Sequence, residues 1–343
     1  MSKAIFKNGA IIADYGRPYI VSEVNSSHNG DMEIARKMID ASVEIGCDCV
    51  KFQSWSASSL YSKTYYKENP IAKRFIDKFS MSPQQLKELA HYCRQQGIEF
   101  SSTPYCEEEV DFLINECHVP YIKIASMEIN NLNFLQYIGA KRYPIVLSTG
   151  MSDIEEVSRA VRILEEAGTT ELVLLHCVSI YPTVLKNVNL NNILGLREIF
   201  PDYPIGFSDH TNGDEAAVAA VTLGAGLIEK HLTLDHSKVG MDNGMATEPD
   251  EFKTLVSKCR DIQVALGTKE RKVHADEMIQ RQKMRRSIVA NKDILKGTVL
   301  LENDLYAKRP GTGISPDKLN QVIGKAVTRN IEKDTIIKFE DLE

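Results

Sequence analysis

IGFSDHTNGDEAAVAAVTLGAGLIEKHLTLD, residues 205–235, reads as one strand–helix–strand unit. A short apolar run (Ile205, Gly206, Phe207) leads into Ser208-Asp209-His210, and an Ala/Val-rich helix is expected from about Asp214 to Leu223. A second run (Leu227, Ile228) ends in Glu229-Lys230-His231. Parallel strands joined by a crossover helix bring their C-terminal ends to one edge of a sheet, so His210 and His231 converge although 21 positions separate them. That edge is where α/β proteins carry their chemistry. Two neutral imidazoles at matching strand ends suit Mn, Fe, Co or Zn. A single strand-end histidine is ordinarily a hydrogen-bonded structural group, so the reading depends on what the remaining strands bring to the same edge.

Working outward, β-branched runs alternate with helical stretches along most of the chain. The runs are Tyr19–Glu23, Cys49–Gln53, Glu99–Thr103, Tyr121–Ile124, Ile145–Ser148, Glu171–His176, Ile205–Ser208 and Leu227–His231. Helices are expected at Asp31–Ile45, Pro83–Gln96, Glu107–Cys117, Asp153–Ala167 and Glu251–Leu266. Eight strands in this alternation predict a TIM (β/α)8 barrel. No G-x-G-x-x-G follows the first strand, as a dinucleotide-binding open sheet would require. The strands end in Glu23, Lys51 and Gln53, Ser101 to Thr103, Lys123 with Ser126 and Glu128, Ser148 and Thr149, His176, Ser208 with His210, and His231. A circle of polar groups at the C-terminal ends predicts an active site with polar, anionic contents. Lys51 and Lys123 stand inside apolar runs, where an unpaired ammonium is costly, and are read as anion ligands.

The 343 residues exceed one ordinary domain, and the net charge of −6 offers no basic surface for nucleic acid or an anionic membrane. Seven cysteines without a repeated C-x-x-C, and an N-terminal stretch without a signal-like apolar run, make the cytoplasm the expected compartment. No segment has the length and apolarity of a membrane span.

After Gly267 the character changes. Residues 1–267 are assigned to the barrel, 268–284 to a charged linker or helix, and 285–343 to a small β-rich domain. Within that domain NKDILKGTVLLENDL (291–305) repeats as TRNIEKDTIIKFEDL (328–342), with Ile294/Ile331, Lys296/Lys333 and Asp304/Asp341 in register. Two such halves predict a compact pseudo-symmetric unit. Its most unusual segment is Lys308-Arg309-Pro310-Gly311-Thr312-Gly313, a basic pair on a rigid turn.

Taken together, E-V-N-S-S-H-N-G-D (23–31), V-K-F-Q (50–53), S-S-T-P (101–104), Y-I-K-I-A-S-M-E (121–128), L-S-T-G-M (147–151), L-L-H-C-V-S-I-Y-P-T (174–183), G-F-S-D-H-T (206–211) and I-E-K-H-L-T-L-D (228–235) resemble the sialic acid synthase family. Its members condense phosphoenolpyruvate with an N-acylated hexosamine to make nonulosonic acids. The tail with K-R-P-G-T-G resembles that family's antifreeze-like (SAF, β-clip) domain, and the similarity covers nearly the whole chain.

The resemblance implies specific roles. His210 and His231 would hold a divalent ion, Mn²⁺ first, with Mg²⁺ or Co²⁺ as alternatives. Lys51, Thr103, Lys123, Ser126, Ser148, Ser179 and Ser208 would bind phosphoenolpyruvate. Glu23, Gln53, Tyr181 and Asp242 would contact the sugar, joined by Arg309 from the partner chain of a homodimer with exchanged tails. Glu23, Lys51, Lys123 and Glu128 are the expected catalytic groups, Glu128 by orienting a lysine or moving a proton. Ser27-His28, Val178-Ser179 and Gly240-Met241-Asp242-Asn243-Gly244-Met245 depart from the family pattern, and the changes at Ser27-His28 and Gly240–Met245 leave the acceptor open between N-acetylmannosamine and a diacetamido-trideoxyhexose. Two rivals stand beside this reading: a Schiff-base keto-acid aldolase or lyase acting through Lys123, and a non-catalytic carbohydrate-binding protein.

Overall fold

The computed structural model describes residues 2–238 and 240–343. The chain divides into two compact units, Met1–Gly267 and Thr268–Glu343.

The first unit opens with an antiparallel hairpin, β1 (Lys3–Ile5) and β2 (Ile11–Ala13). Eight parallel strands follow: β3 (Tyr19–Glu23), β4 (Cys49–Gln53), β5 (Glu99–Thr103), β6 (Ile122–Ile124), β7 (Ile145–Ser148), β8 (Leu172–Cys177), β9 (Ile205–Asp209) and β10 (Leu227–His231). They are ordered β5-β4-β3-β10-β9-β8-β7-β6, with β3 and β10, the first and last of the eight, as neighbours, as in a barrel. Helices α1 (Met32–Ile45), α2 (Lys63–Glu68), α3 (Pro70–Phe79), α4 (Pro83–Gln96), α5 (Glu107–Phe112), α6 (Leu132–Ala140), α7 (Ile154–Ala167), α8 (Asn192–Ile199), α9 (Glu215–Thr222) and α10 (Pro249–Leu266) connect or follow them.

The boundaries have local causes. In α1 the Asp31 carboxylate accepts from the Glu33 and Ile34 amides, and Gly46 ends the helix at a φ of 87°. Its face Ala35, Met38, Ile39, Ser42 and Ile45 recurs at helical spacing and turns to the barrel wall. Helices α4 and α7 start at capping boxes, Ser82 with Gln85 and Asp153 with Glu156. The helix expected at Glu107–Cys117 is α5 continued by a π-helical turn over Leu113–Cys117.

Two apolar layers lie on either side of the strands. Outside, strand residues such as Ile20, Val50, Ile122 and Ile228 pack on the helices; inside, Val21, Cys49, Tyr121, Val146, Val173 and Leu227 pack with Phe6 and Ile12 of the hairpin. The hairpin therefore plugs the N-terminal end, and the open end is the one at which the polar strand termini gather. All seven cysteines are free thiols. Among the described residues no helix is long and apolar enough to cross a membrane.

The second unit holds α11 (Ala275–Met284) and the antiparallel pair β11 (Ser287–Ala290) and β12 (Leu305–Lys308) over a small core that includes Ile288, Leu300, Val322, Val327 and Ile337. The repeat is visible as an exchange of bonds. Ile294 and Ile331 trade amide and carbonyl at 2.8 Å in both directions, Asn330 accepts from the Lys296 amide at 2.8 Å, and Asp293 accepts from the Lys333 amide at 2.7 Å. Positions 37 apart thus play equivalent parts.

Candidate active site

In a parallel sheet, the register decides which strand ends share a level. Glu23 stands opposite Lys51 on one side and His231 on the other; Lys51 faces Ser101, Gln53 faces Thr103, and Ser208 lies between Cys177 and Glu229. Side chains alternate along each strand, so residues two apart share a face. This geometry surrounds a cavity of about 330 Å³ at the open end of the barrel, within the range of small-molecule sites.

The sequence-predicted residues divide clearly. Lys51, Thr103, Lys123, Ser126, Ser148, Ser179 and Ser208 all line this cavity, as do Glu23, Gln53, Tyr181, Asp242, His210 and His231. Glu128 is not among its lining residues; its carboxylate accepts from Asn131 Nδ2 at 2.9 Å on the short turn Ser126–Glu128. Arg309 is exposed in the second unit, directly after β12.

His176 is corrected. The expected strand Glu171–His176 runs over Leu172–Cys177, which turns Cys177 inward, while the His176 ring lies against Phe207 and its Nε2 is 2.6 Å from the Val188 carbonyl oxygen. Neighbouring residues on a strand point to opposite faces, and Val173 and Leu175 share the inner one with Cys177. Thr149, also counted in the circle, bonds the Leu175 carbonyl at 2.9 Å and is not among the lining residues.

The floor of the cavity is charged and sealed from solvent. Lys51 pairs with Glu23 and donates to Thr103 Oγ1 at 3.2 Å; Lys123 donates to Ser148 Oγ at 2.7 Å and to the Ile124 carbonyl at 3.2 Å. Between the two ammonium groups stands Glu229, 3.7 Å from Lys51 Nζ and 3.8 Å from Lys123 Nζ. Burial, reinforced by the Glu229 charge, pushes the Glu23 carboxyl up to about 7 against the pull of Lys51. Burial also lowers Lys123, although Glu229 opposes the shift. Burial works against Lys51 too, but Glu229 and Glu23 outweigh it and hold Lys51 above the ordinary lysine range.

Above the floor the acceptor-facing groups form a network. Gln53 Nε2 and the Asn25 amide both donate to Glu23 Oε1, at 3.2 and 2.8 Å, and Tyr105 donates to Gln53 Oε1 at 2.5 Å. Asn25 is also hydrogen-bonded to Asp242. Opposite them, the Gly150 amide donates to Ser126 Oγ at 3.0 Å. A Cβ at Gly150 would approach the Ser179 hydroxyl to 2.4 Å and that of Ser126 to 2.9 Å, so only glycine lets this backbone between two hydroxyls.

His210 and His231 face each other with ring centroids 5.3 Å apart, and the Tyr181 ring lies 4.2 Å from that of His210. Behind them, on the outer face, Lys230 Nζ donates to Asp209 Oδ2 at 2.7 Å and to the Thr211 carbonyl at 2.8 Å. That buried pair ties together the residues adjacent to both histidines. Burial drives His231 well below the ordinary histidine range, so it is the neutral imidazole a metal requires. His210 is also buried, but its neighbours Cys177 and the Val178 carbonyl favour the proton and raise it. Its Nδ1 is 2.8 Å from the Val178 oxygen, which leaves Nε2 as the ligand nitrogen. Among the described residues no group of three or more His, Cys, Asp or Glu is arranged to hold an ion. The chemistry of the donor set fits a divalent ion, to which the two imidazoles would supply two ligands, with water or substrate as the others.

Sequence reasoning missed Glu229, Cys177, Tyr105 and Asn25 as lining residues. Glu229 was available from parity alone, two positions before His231 on one strand.

The NeuB family profile matches residues 38–271, and the SAF domain profile matches residues 285–343. The N,N'-diacetyllegionaminic acid synthase of Legionella pneumophila is 36% identical, over 95% of this chain and 94% of its own. Human N-acetylneuraminate-9-phosphate synthase is 32% identical, over 94% and 92%. A crystal structure of the N-acetylneuraminic acid (sialic acid) synthetase of Leptospira borgpetersenii, in complex with citrate, superposes with a TM-score of 0.74 at 29% identity, covering 81% of this chain and 96% of that one.

Proposed function

The chain belongs to the NeuB family and is an enzyme of the sialic acid synthase type with an SAF domain; from that premise we propose that it condenses phosphoenolpyruvate with an open-chain N-acylated hexosamine. The observation that carries the proposal is the convergence on one cavity of two buried lysines, a ring of hydroxyls and two facing imidazoles. Phosphoenolpyruvate brings a phosphate and a carboxylate, for which Lys51 and Lys123 supply charge and Thr103, Ser126, Ser148, Ser179 and Ser208 supply hydrogen bonds. Glu23, Gln53, Tyr181 and Asp242 would orient the acceptor.

A divalent ion held by His210 and His231, Mn²⁺ being the first choice, would supply Lewis-acid polarisation of the acceptor's aldehyde. In the reaction, C3 of phosphoenolpyruvate bonds to C1 of the acceptor and water adds to C2. The tetrahedral carbon then releases inorganic phosphate, and the bridging oxygen departs with it. Glu23, with a carboxyl near 7, is suited to give or take a proton at neutral pH. Glu128, outside the cavity lining, is assigned no step.

Burial of Lys123 lowers its affinity for a proton, which also favours the Schiff-base reading. The two readings part on borohydride treatment with pyruvate, which would label only the Schiff-base enzyme. The deciding assay measures phosphate release from phosphoenolpyruvate against N-acetylmannosamine, its 6-phosphate and diacetamido-trideoxyhexoses. We expect one acceptor class to give stoichiometric phosphate; release with none of them would reject the proposal.

A further inference from the structure

Glu229 has an oxygen without a partner. Its Oε1 accepts from Ser208 at 3.0 Å, but its Oε2 is sealed from solvent and makes no hydrogen bond. An unsatisfied buried carboxylate oxygen ordinarily costs more than a hydrogen bond returns, so the placement needs a compensating role. The distances show what compensates. Lys51 Nζ lies 3.7 Å from Oε2 and Lys123 Nζ 3.8 Å from Oε1, so each carboxylate oxygen has one ammonium group nearby and neither forms a close ion pair, while each lysine hydrogen-bonds elsewhere, to Thr103 and Ser148.

The partners of the two lysines are unequal. Lys51 has a second carboxylate, Glu23, in direct contact. Lys123 has none: its hydrogen bonds go to a hydroxyl and a carbonyl, and Glu229 is its nearest carboxylate. The charged or titratable groups that act on Lys123 are Glu229 on β10, Lys51 on β4, Cys177 on β8 and Glu23 on β3. Two buried ammonium groups on one cavity floor repel each other and, without a shared counter-ion, the less well partnered one gives up its proton.

We infer that Glu229 is a positioning residue for the anion site: it stands between Lys51 and Lys123 as their shared counter-ion, keeping both charged and apart without closing on either. The inference deepens the proposed function and rests on it only for the identity of the anion, phosphoenolpyruvate. A carboxylate in that place has two opposed consequences. It lowers the affinity of the floor for any anion, by repulsion, and it extends to higher pH the range over which the floor can bind one, by holding the Lys123 proton.

That opposition supplies a test that structural damage cannot imitate. Glu229→Gln preserves the shape and leaves an acceptor for Ser208, but removes the charge. The probe is inorganic sulfate, whose own charge is constant across the neutral and basic range. Binding is followed by calorimetry and by the fluorescence of Trp55, the only tryptophan, which lines the cavity. At slightly acid pH, E229Q should bind sulfate about tenfold more tightly than wild type or better. The midpoint at which affinity is lost on raising the pH should fall by about one unit or more. The two affinity curves therefore cross.

Glu229→Asp, which keeps the charge but withdraws it by one methylene, should move the midpoint in the same direction by less. It also stands in should E229Q fail to fold by circular dichroism. Curves that do not cross, or a midpoint unmoved in both variants, overturn the inference. If wild type binds sulfate but not phosphoenolpyruvate, the proposed function fails while the role of Glu229 is still judged on the sulfate curves. If wild type binds neither anion, the lysine pair is not an anion site and the inference falls as well.

Discussion

Asp304 and Asp341 in the second unit are buried carboxylates with their partners supplied, whereas Glu229 in the barrel is buried with an oxygen that has none. Asp304 takes the Leu301 amide at 3.1 Å and pairs with Lys292 at 2.6 Å; Asp341, 37 residues on, takes the Lys338 amide at 2.9 Å and pairs with Arg329 at 2.6 Å. Each aspartate closes a short turn and meets a cation that remains largely in water. In the barrel both ends of the Lys51 and Lys123 interactions with Glu229 are sealed from water. The contrast separates two uses of a buried charge. Where every lone pair is matched, the group holds the fold; where matching is incomplete at a cavity floor, the group is held ready for something else.

The largest effect should come from the histidine pair. His231→Ala leaves one imidazole, and we expect a loss of about 10³-fold in turnover, the equivalent of several kcal/mol of transition-state stabilisation. Divalent-ion binding, measured directly by calorimetry, should be lost with it, while the melting temperature changes little. A variant that melts far below wild type would place His231 with the fold-holding groups and break the comparison at its strongest point.

His28 tests the same rule on a base. It is buried in the loop after β3, its ring lies 5.8 Å from that of Phe52, and its Nδ1 accepts from the Gly30 amide at 3.0 Å, so it is matched while neutral. Burial pushes it down to about 4 from an ordinary 6.5. The unfolded chain therefore binds the proton first. Stability contributed by neutral His28 is complete above pH 6.5 and is lost as the pH falls toward 4, by about 3 kcal/mol in all. Urea titrations across that window should show the loss in wild type, and His28→Gln should flatten it. An unchanged slope in the variant would mean that another group carries the acid limb.

These outcomes also bear on what the sequence can disclose. The eight barrel strands were legible because each is a short β-branched run between turn signals, and the polar residues at their ends marked the cavity before any geometry was available. His176 was misread because it was taken by its place at the strand's end rather than by parity: Val173, Leu175 and Cys177 take the inner face, so the residue between the last two points outward. The hairpin β1–β2 has strands of three residues, too short for alternation to register. Helices α2 and α3 are split at Asn69-Pro70, and their small core of Trp55, Tyr66, Ile76 and Phe79 has no simple period. Glu229 stood inside the I-E-K-H motif, but nothing in the motif told what it does. Its meaning lies in the meeting of β10 with lysines from β4 and β6, a tertiary fact.

The smallest effect should separate the two halves of each aspartate's environment. Truncating Asp304 or Asp341 to alanine orphans a turn amide, of Leu301 or Lys338, as well as removing the ion pair, and should destabilise the second unit by about 1–3 kcal/mol. Truncating the exposed cation instead, by Lys292→Met or Arg329→Met, leaves the amide bond intact and should cost clearly less than the alanine, because a pair with one end in water is weak. Both carboxyls are held below the ordinary range, Asp304 by Lys292 and the Leu301 amide; for Asp341 burial pushes the other way, and Arg329 together with the Lys338 amide outweighs it. Their contribution is accordingly present above about pH 4 and lost as the pH falls through the lowered values. Hydrogen exchange on the full chain can assign the loss to the second unit and read both positions in one experiment. The repeat requires the two alanine variants to agree with each other, and both to exceed their cation counterparts. If Asp304→Ala and Asp341→Ala differ strongly, the symmetry is one of backbone only. If the cation variants cost as much as the alanines, the ion pairs rather than the capped amides hold the turns, and matched lone pairs are not what distinguishes this unit from the barrel floor.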